Sequence, residues 1–239
     1  MNHEACIIPL LLLSSTLIFA GENQTVIGHW SFDDANPAVL TDRGPNGLNA
    51  HQAGKDGNTG ISFPDGRVKQ AIEFAPQARA KYTAAGEALN LNSSFTISCW
   101  VWRSSEKPVI MSLVSKKFDS SPNGYELRLV GDRLRFTWGD GKETKELITP
   151  RNMLQKEQWY QVAVTYDGQK LRLFINFQPV MEKDLPDLVI KPNKTAVVIG
   201  NYPGKADSYN LIGKLDEVHI AGKALSAEEM FQVMAPAAE

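Results

Sequence analysis

Short runs of alternating apolar and polar residues, separated by turn signals, recur from residue 26 almost to the end of the chain, and this period of two restricts the possible folds most. The plainest instance is "YELRLVGDRLRFTW", residues 125–138. Gly131-Asp132 supplies a two-residue connection that tolerates the positive φ angles of a tight hairpin. Counting outward, Val130 faces Arg133, Leu129 faces Leu134, Leu127 faces Phe136 and Tyr125 faces Trp138. The leucine and aromatic pairs form an apolar face that reads as core. The other face carries Glu126, Arg128, Arg135 and Thr137, with the two arginines directly opposite each other. Like charges so placed cost roughly 0.2–1 kcal/mol unless neutralised. Either Glu126, diagonal to the pair, or an acidic ligand can do this.

Further strands are predicted near 26–33, 69–75, 94–103, 109–116, 158–166, 170–176, 195–200 and 211–221. Asp167-Gly168 reads as a second tight hairpin pairing Val164 with Leu171, Val162 with Leu173 and Tyr160 with Ile175. Its outer face then offers Gln161, Thr165, Lys170, Arg172 and Phe174. Trp100 and Trp102 lie opposite Ile97, Cys99 and Val101, so "SFTISCWVW" has bulk on both faces and reads as a central strand. Helical periodicity is confined to the C-terminus, where Ser226 and Glu229 form a capping box ahead of Met230, Phe231 and Met234. That helix is expected to pack as a short lid and to end before Pro236. Strands without intervening helices indicate an all-β fold of two antiparallel sheets, a sandwich or jelly roll, rather than a parallel α/β sheet. The Gly-rich stretches at 44–66 and 200–210 read as long functional loops, and no linker divides the chain.

Ile7 to Ala20 is nearly continuous apolar sequence, too short for a comfortable membrane span and placed where an export signal sits. Residues 1–21 are therefore read as a signal peptide and 22–239 as one domain, secreted, periplasmic or at the cell surface. An uncleaved anchor, the other reading, also takes the bulk of the chain out of the cytoplasm. After cleavage no stable membrane span is expected. A net charge of -2 and a pI near 6.1 argue against a nucleic-acid partner. Cys6 leaves with the signal, so Cys99 has no partner and reads as an inert core thiol.

"GHWSFDD" with "TDRGPNG", "SFTISCWVW", "QWYQVAVTYDGQKLRLFIN" and "LIGKLDEVHIAGKALSAEEM" together resemble the laminin G-like jelly rolls of the concanavalin A-like lectin/glucanase superfamily, over residues 26–234. The resemblance implies two curved antiparallel sheets packed face to face. It also implies that Asp33 and Asp216 meet where the first and last strands run together, often around a structural calcium. Calcium needs six to eight oxygens, so carbonyls and Asp34 or Asp42 would have to complete the shell. Alternatively Asp33 and Asp42 cap turns and Asp216 faces water. The family usually has a glycine where Phe177 stands, so a wider hairpin with Phe177 exposed at its tip is expected.

The hydrolytic members of that superfamily carry alternating carboxylates on one strand, and no E-x-D-x-E or E-x-D-x-x-E occurs here. There is no G-x-S-x-G, and His29, His51 and His219 have no evident serine and acid partners; His219 reads as a solvent-facing strand residue. A non-catalytic module is expected, recognising carbohydrate or glycoprotein. The rivals are a protein-interaction scaffold and a glycoside hydrolase with unfamiliar acids. If both hairpins share one sheet, Glu126, Arg128, Arg135, Gln161, Arg172 and Phe174 line one surface, a groove for an acidic glycan. The competing reading is a solvated, charge-balanced face.

Overall fold

The computed structural model describes residues 25–34, 36–53, 60–76, 78, 80–104, 110–118, 121–204 and 209–234; the leader read at residues 1–21 lies outside them. In chain order the strands are β1 (Val26–Trp30), β2 (Val39–Leu40), β3 (Ala50–Ala53), β4 (Ile61–Ser62), β5 (Ile72–Phe74), β6 (Lys81–Ala84), β7 (Phe95–Arg103) and β8 (Ile110–Ser115). There follow β9 (Asn123–Val130), β10 (Arg133–Asp140), β11 (Thr144–Ile148), β12 (Trp159–Tyr166), β13 (Lys170–Ile175), β14 (Gln178–Asp184), β15 (Val197–Ile199), β16 (Gly213–Ala221) and helix α1 (Ala227–Met234).

Sheet I runs β14-β13-β12-β7-β16-β5-β4, with β1 also paired to β16; sheet II runs β11-β10-β9-β8-β15-β6-β3-β2. Strand pairing is antiparallel throughout. The first and last described strands, β1 and β16, lie side by side, and β7, between β12 and β16, is central. One core fills the space between the sheets: Ile97, Cys99, Val162, Val164 and Leu173 face Leu127, Leu129, Phe136 and Trp138 from the other side, all essentially buried. Each such side chain contributes about 1.5–3 kcal/mol through removal from water. The absence of a disulfide at Cys99 is thereby offset by core size.

The β9–β10 hairpin has the register its turn dictates, Val130 with Arg133 through Tyr125 with Trp138, and Arg128 faces Arg135. The β12–β13 hairpin differs. Tyr166 pairs with Leu171, Val164 with Leu173 and Val162 with Ile175, two residues away from the register of a tight Asp167-Gly168 turn. The reason is that Asp167 Oδ1 accepts from the N–H groups of both Gln169 and Lys170, folding a longer Asx-type loop. A shift of two leaves every side chain on its expected face.

Strands β11 and β14 escape the period-two pattern because they are sheet edges. Their exposed charges and Pro179 suit an edge, where unpaired backbone invites association. The hairpin at Phe177 is tight rather than wide: Ile175 pairs with Gln178, and Asn176 and Phe177 both take positive φ, 49° and 63°. Phe177 tolerates this because its N–H donates to Gln161 Oε1 (3.0 Å) and its ring meets Trp100 and Phe231 edge-on, at 5.8 and 5.4 Å. Its tip position is therefore partly covered. Phe177→Ala loses the ring but keeps the backbone strain, whereas Phe177→Gly loses both. The glycine variant is expected to be about 1 kcal/mol more stable than the alanine variant in urea denaturation.

Helix α1 begins as its sequence indicates, with Glu229 N–H donating to Ser226 Oγ and Ser226 N–H to Glu229 Oε2. It lies across the outer face of sheet I, packing Met230 and Leu225 with Ala163, Phe174 and Ala221. Trp100 Nε1 donates to the Met234 carbonyl at 2.8 Å and fastens its far end.

Candidate functional site

Sheet II leaves its outer face without such a helix among the described residues, and strand register brings polar side chains into rows across it. Thr137 on β10 pairs with Glu146 on β11 and Glu126 on β9; Glu126 pairs with Ser115 on β8, Ser115 with Val198 on β15, Val198 with Thr83 on β6, and Thr83 with His51 on β3. Alongside runs a second row, Ile148, Arg135, Arg128 and Ser112. Because alternate residues fill the core, all these side chains point outward. Glu126, Thr137, Ser112 and Ser115 are nonetheless buried, so the face is packed under its own longer side chains.

Arg128 Nη1 binds Glu126 Oε2 at 3.0 Å and Arg135 Nη1 binds Glu146 Oε2 at 2.9 Å. The like-charge pair thus gains one carboxylate each. The Nε atoms of both arginines are buried without an acceptor among the described residues, as are the hydroxyls of Ser112 and Thr137. Burial, and next the facing Arg128, hold the Arg135 guanidinium below its ordinary pKa. It stays charged nonetheless, since guanidinium does not deprotonate in proteins. What reaches the surface of the pair, 11% and 15% of the two side chains, is cationic and fork-shaped, suited to carboxylate or sulfate.

The expected six-residue surface divides between the sheets, which corrects the premise that both hairpins share one. Glu126, Arg128 and Arg135 are on sheet II; Gln161, Arg172 and Phe174 are on sheet I. Gln161 and Phe174 lie under or beside helix α1, with Gln161 Nε2 directed at the sulfur atoms of Met230 and Met234. Arg172 is occupied by Asp167 at 2.6 Å and Glu182 at 3.5 Å. Sequence reasoning missed Ser112 and Ser115, because a β-bulge between Ser112 and Val114 puts "SLVS" out of step with alternation.

The carboxylates expected to hold calcium are engaged otherwise. Asp42 accepts the N–H groups of His29, Gly44 and Leu48. Asp34 pairs with Arg43 at 2.5 Å. Asp33 takes the Gln70 N–H and faces Lys69 Nζ at 3.8 Å, and Asp216 Oδ2 accepts the N–H groups of Arg67 and Val68. Asp216 Oδ1 remains buried without a donor. A single free oxygen falls far short of a calcium shell, and no group of three metal-ligating side chains occurs among the described residues. These residues do not fit the ion. Nor does Asp216 face water, or His219: both are buried on the outer face of sheet I. Burial pushes the Asp216 carboxyl up to about 8, against the pull of the Val68 N–H, and burial takes His219 down to about 3, helped by His29. Glu217, on a bulge with φ 49°, reaches His29 Nε2 instead of the opposite face.

A family model described as the concanavalin A-like lectin/glucanases superfamily, in its laminin G form, matches residues 77–230. The chain belongs to this superfamily. Residues of this chain are similar to the β subunit of N,N-dimethylformamidase from Paracoccus aminophilus, 23% identical over 208 residues that cover 73% of this chain and 27% of that protein. The corresponding subunit from Alcaligenes sp. is 21% identical over 139 residues, covering 54% and 18%. The chain therefore spans about a quarter or less of these curated relatives.

Among solved structures, the binding domain of Paraclostridial Mosquitocidal Protein 1 superposes with a TM-score of 0.68 at 19% identity, covering 88% of this chain and 52% of that one. Domain 4 of a GH43 extracellular arabinanase from Geobacillus stearothermophilus, solved with arabinotriose, gives 0.66 at 18%, covering 87% and 98%. The ligand-binding domain of botulinum neurotoxin serotype D, solved with N-acetylneuraminic acid, gives 0.63 at 16%, covering 88% and 50%. At these identities the likeness is one of fold alone.

Proposed function

We propose that this chain is an exported, non-catalytic carbohydrate-binding module whose partner is a glycan or glycoprotein, and that an acidic sugar seats against Arg128 and Arg135. The observation that carries the reading is the facing arginine pair on the sheet face that no helix covers among the described residues, each arginine side chain still partly exposed, at 11% and 15%. Two structural neighbours were solved with saccharides, an arabinotriose and an N-acetylneuraminic acid, which supports use of this fold for sugars. The carboxylate spacing of glycosidases is lacking from the same face: Glu126 and Glu146 are both tied to arginines, which disfavours an acid/base pair.

The test is retention on immobilised uronate-containing and sulfated polysaccharide. Replacing Arg128 and Arg135 together with serine is expected to weaken retention at least tenfold, and the double lysine variant, which keeps charge but not the fork, is expected to fall between. Thermal melting checks that the variants fold, since Glu126 loses an ion pair. Unchanged retention in a folded serine variant removes the arginine site.

A further inference from the structure

The outer face of sheet II also holds a groove of about 540 Å³ where β6 and β15 pair, well within the size range of small-ligand sites. Thr83 and Val198 form its floor, and Phe118, Lys194, Lys81 and Pro203 stand around it. Its described lining contains no carboxylate. Phe118 is 41% exposed, an unusual exposure for so large an apolar ring, and Lys194 is exposed and in no ion pair among the described residues. Lys81 is fixed at the groove wall by donating to the carbonyls of Pro203 and Gly204. The contrast with the cavity of about 460 Å³ beside Trp138 is informative: there Lys145 is already paired with Asp140 at 2.9 Å.

An aromatic face beside ammonium groups over a hydroxyl-bearing floor matches one chemistry, a sugar ring carrying an anionic substituent. The C–H side of the ring covers Phe118, the anion meets Lys194 and Lys81, and the Thr83 hydroxyl is placed for a ring hydroxyl. The groove and the arginine pair share the outer face of sheet II. Val198 is in register with Ser115, Ser115 with Glu126, and Ser112 with Arg128, so β15 and β9 are separated only by β8. Two strand spacings are about 10 Å. A ligand touching both places must therefore be an oligomer bearing anionic groups on separate residues, running across the strands.

We propose that the Lys194–Phe118 groove and the Arg128–Arg135 pair are two ends of one extended site for a linear polyanionic glycan. This rests on the glycan-binding reading above and adds the length and charge repeat of its ligand. Neither end alone is expected to hold a single acidic sugar tightly, whereas an oligomer engaging both gains from each without a second loss of overall freedom.

The experiment titrates the full chain with oligogalacturonates of increasing length, and in parallel with sulfated dextran oligomers, by calorimetry at low and moderate salt. Affinity is expected to rise with length to a plateau, to fall with added salt, and to be steeper for whichever anion is preferred. Lys194→Glu and Phe118→Ala, both surface changes, are each expected to reduce affinity at least tenfold for long oligomers. For the shortest oligomer, which cannot reach both ends, the loss is expected to be smaller than for the long ones. If Lys194→Glu and Phe118→Ala match the wild type at every length while the Arg128 and Arg135 double serine variant loses binding, the groove plays no part and only the arginine reading survives. If the wild type binds neither polyanion series at any length, the acidic-glycan reading falls and the extended site falls with it.

Discussion

Replacing Asp42 with alanine is expected to cost about 3–5 kcal/mol of folding stability, because one buried carboxylate organises the whole turn that follows β2. Its Oδ1 accepts from His29 N–H and Gly44 N–H, both at 2.8 Å, and its Oδ2 from Leu48 N–H at 2.7 Å. Its own N–H donates to Asn49 Oδ1, and the neighbouring Arg43 N–H donates to the His29 carbonyl. The Leu48 carbonyl in turn receives Trp30 Nε1, so the knot ties the loop to a fully buried core tryptophan. Alanine leaves these N–H groups facing a void. Asparagine is also expected to destabilise, since its amide nitrogen would oppose a backbone donor at one end of the site. Against a typical domain stability of about 5–15 kcal/mol, such a loss brings melting close to ambient temperature. Equilibrium urea unfolding decides it: a loss below about 1 kcal/mol for the alanine variant would show that the loop holds without its carboxylate.

Asp42 also marks how far the sequence speaks for itself. "TDRGPNG" contributes to the resemblance that indicates the jelly roll, and a turn-capping role is one of its two readings; the Gly44 and Leu48 N–H groups are local to that turn, but the third partner, His29, depends on β1 crossing the loop. Local chemistry was legible where the chain closes on itself within a few residues. The β9–β10 register and the Ser226–Glu229 capping box are of this kind. Asp167 defeats the same reasoning, since a side-chain acceptor outcompetes the two-residue turn. What period-two alternation does not contain is which sheet receives each hairpin. That assignment sends Arg172 away from Arg128 and lets helix α1 cover Gln161 and Phe174. The groove at Lys194 was equally hidden, because Phe118, Thr83 and Val198 come from three separate parts of the chain.

Between pH 6.5 and 8 the wild-type protein is expected to lose about 2 kcal/mol of stability, and Asp216→Asn is expected to abolish that loss. Two buried groups on the outer face of sheet I set the profile with opposite signs. Asp216 has its pKa raised by burial from 3.8 to about 8, so its contribution is complete below pH 3.8 and is lost as pH rises through about 8. His219 has its pKa lowered by burial and by His29 from 6.5 to about 3, so its contribution is present above pH 6.5 and is lost as pH falls toward 3. The groups around them are His29, whose ring lies 5.6 Å from that of His219, Glu217 on His29, and Ser98 opposite His219 in the β7–β16 register. From pH 3.8 to 6.5 the two effects oppose and nearly cancel, and from 6.5 upward Asp216 acts alone, giving a plateau that ends in a decline above pH 6.5. Asparagine keeps an oxygen for the Arg67 and Val68 N–H groups without ever carrying charge, so it removes the decline above pH 6.5 and leaves the rise due to His219 below 6.5 unopposed. Melting curves of both proteins across pH 4 to 9 test this, and parallel decline of the two above pH 6.5 would clear Asp216 of responsibility. Repeating the wild-type series with millimolar calcium and with chelator tests the donor-set argument as well. A calcium-dependent rise in melting temperature that Asp216→Asn lacks would put an ion on the carboxylate oxygen that has no donor, and would replace proton binding as the source of the pH dependence.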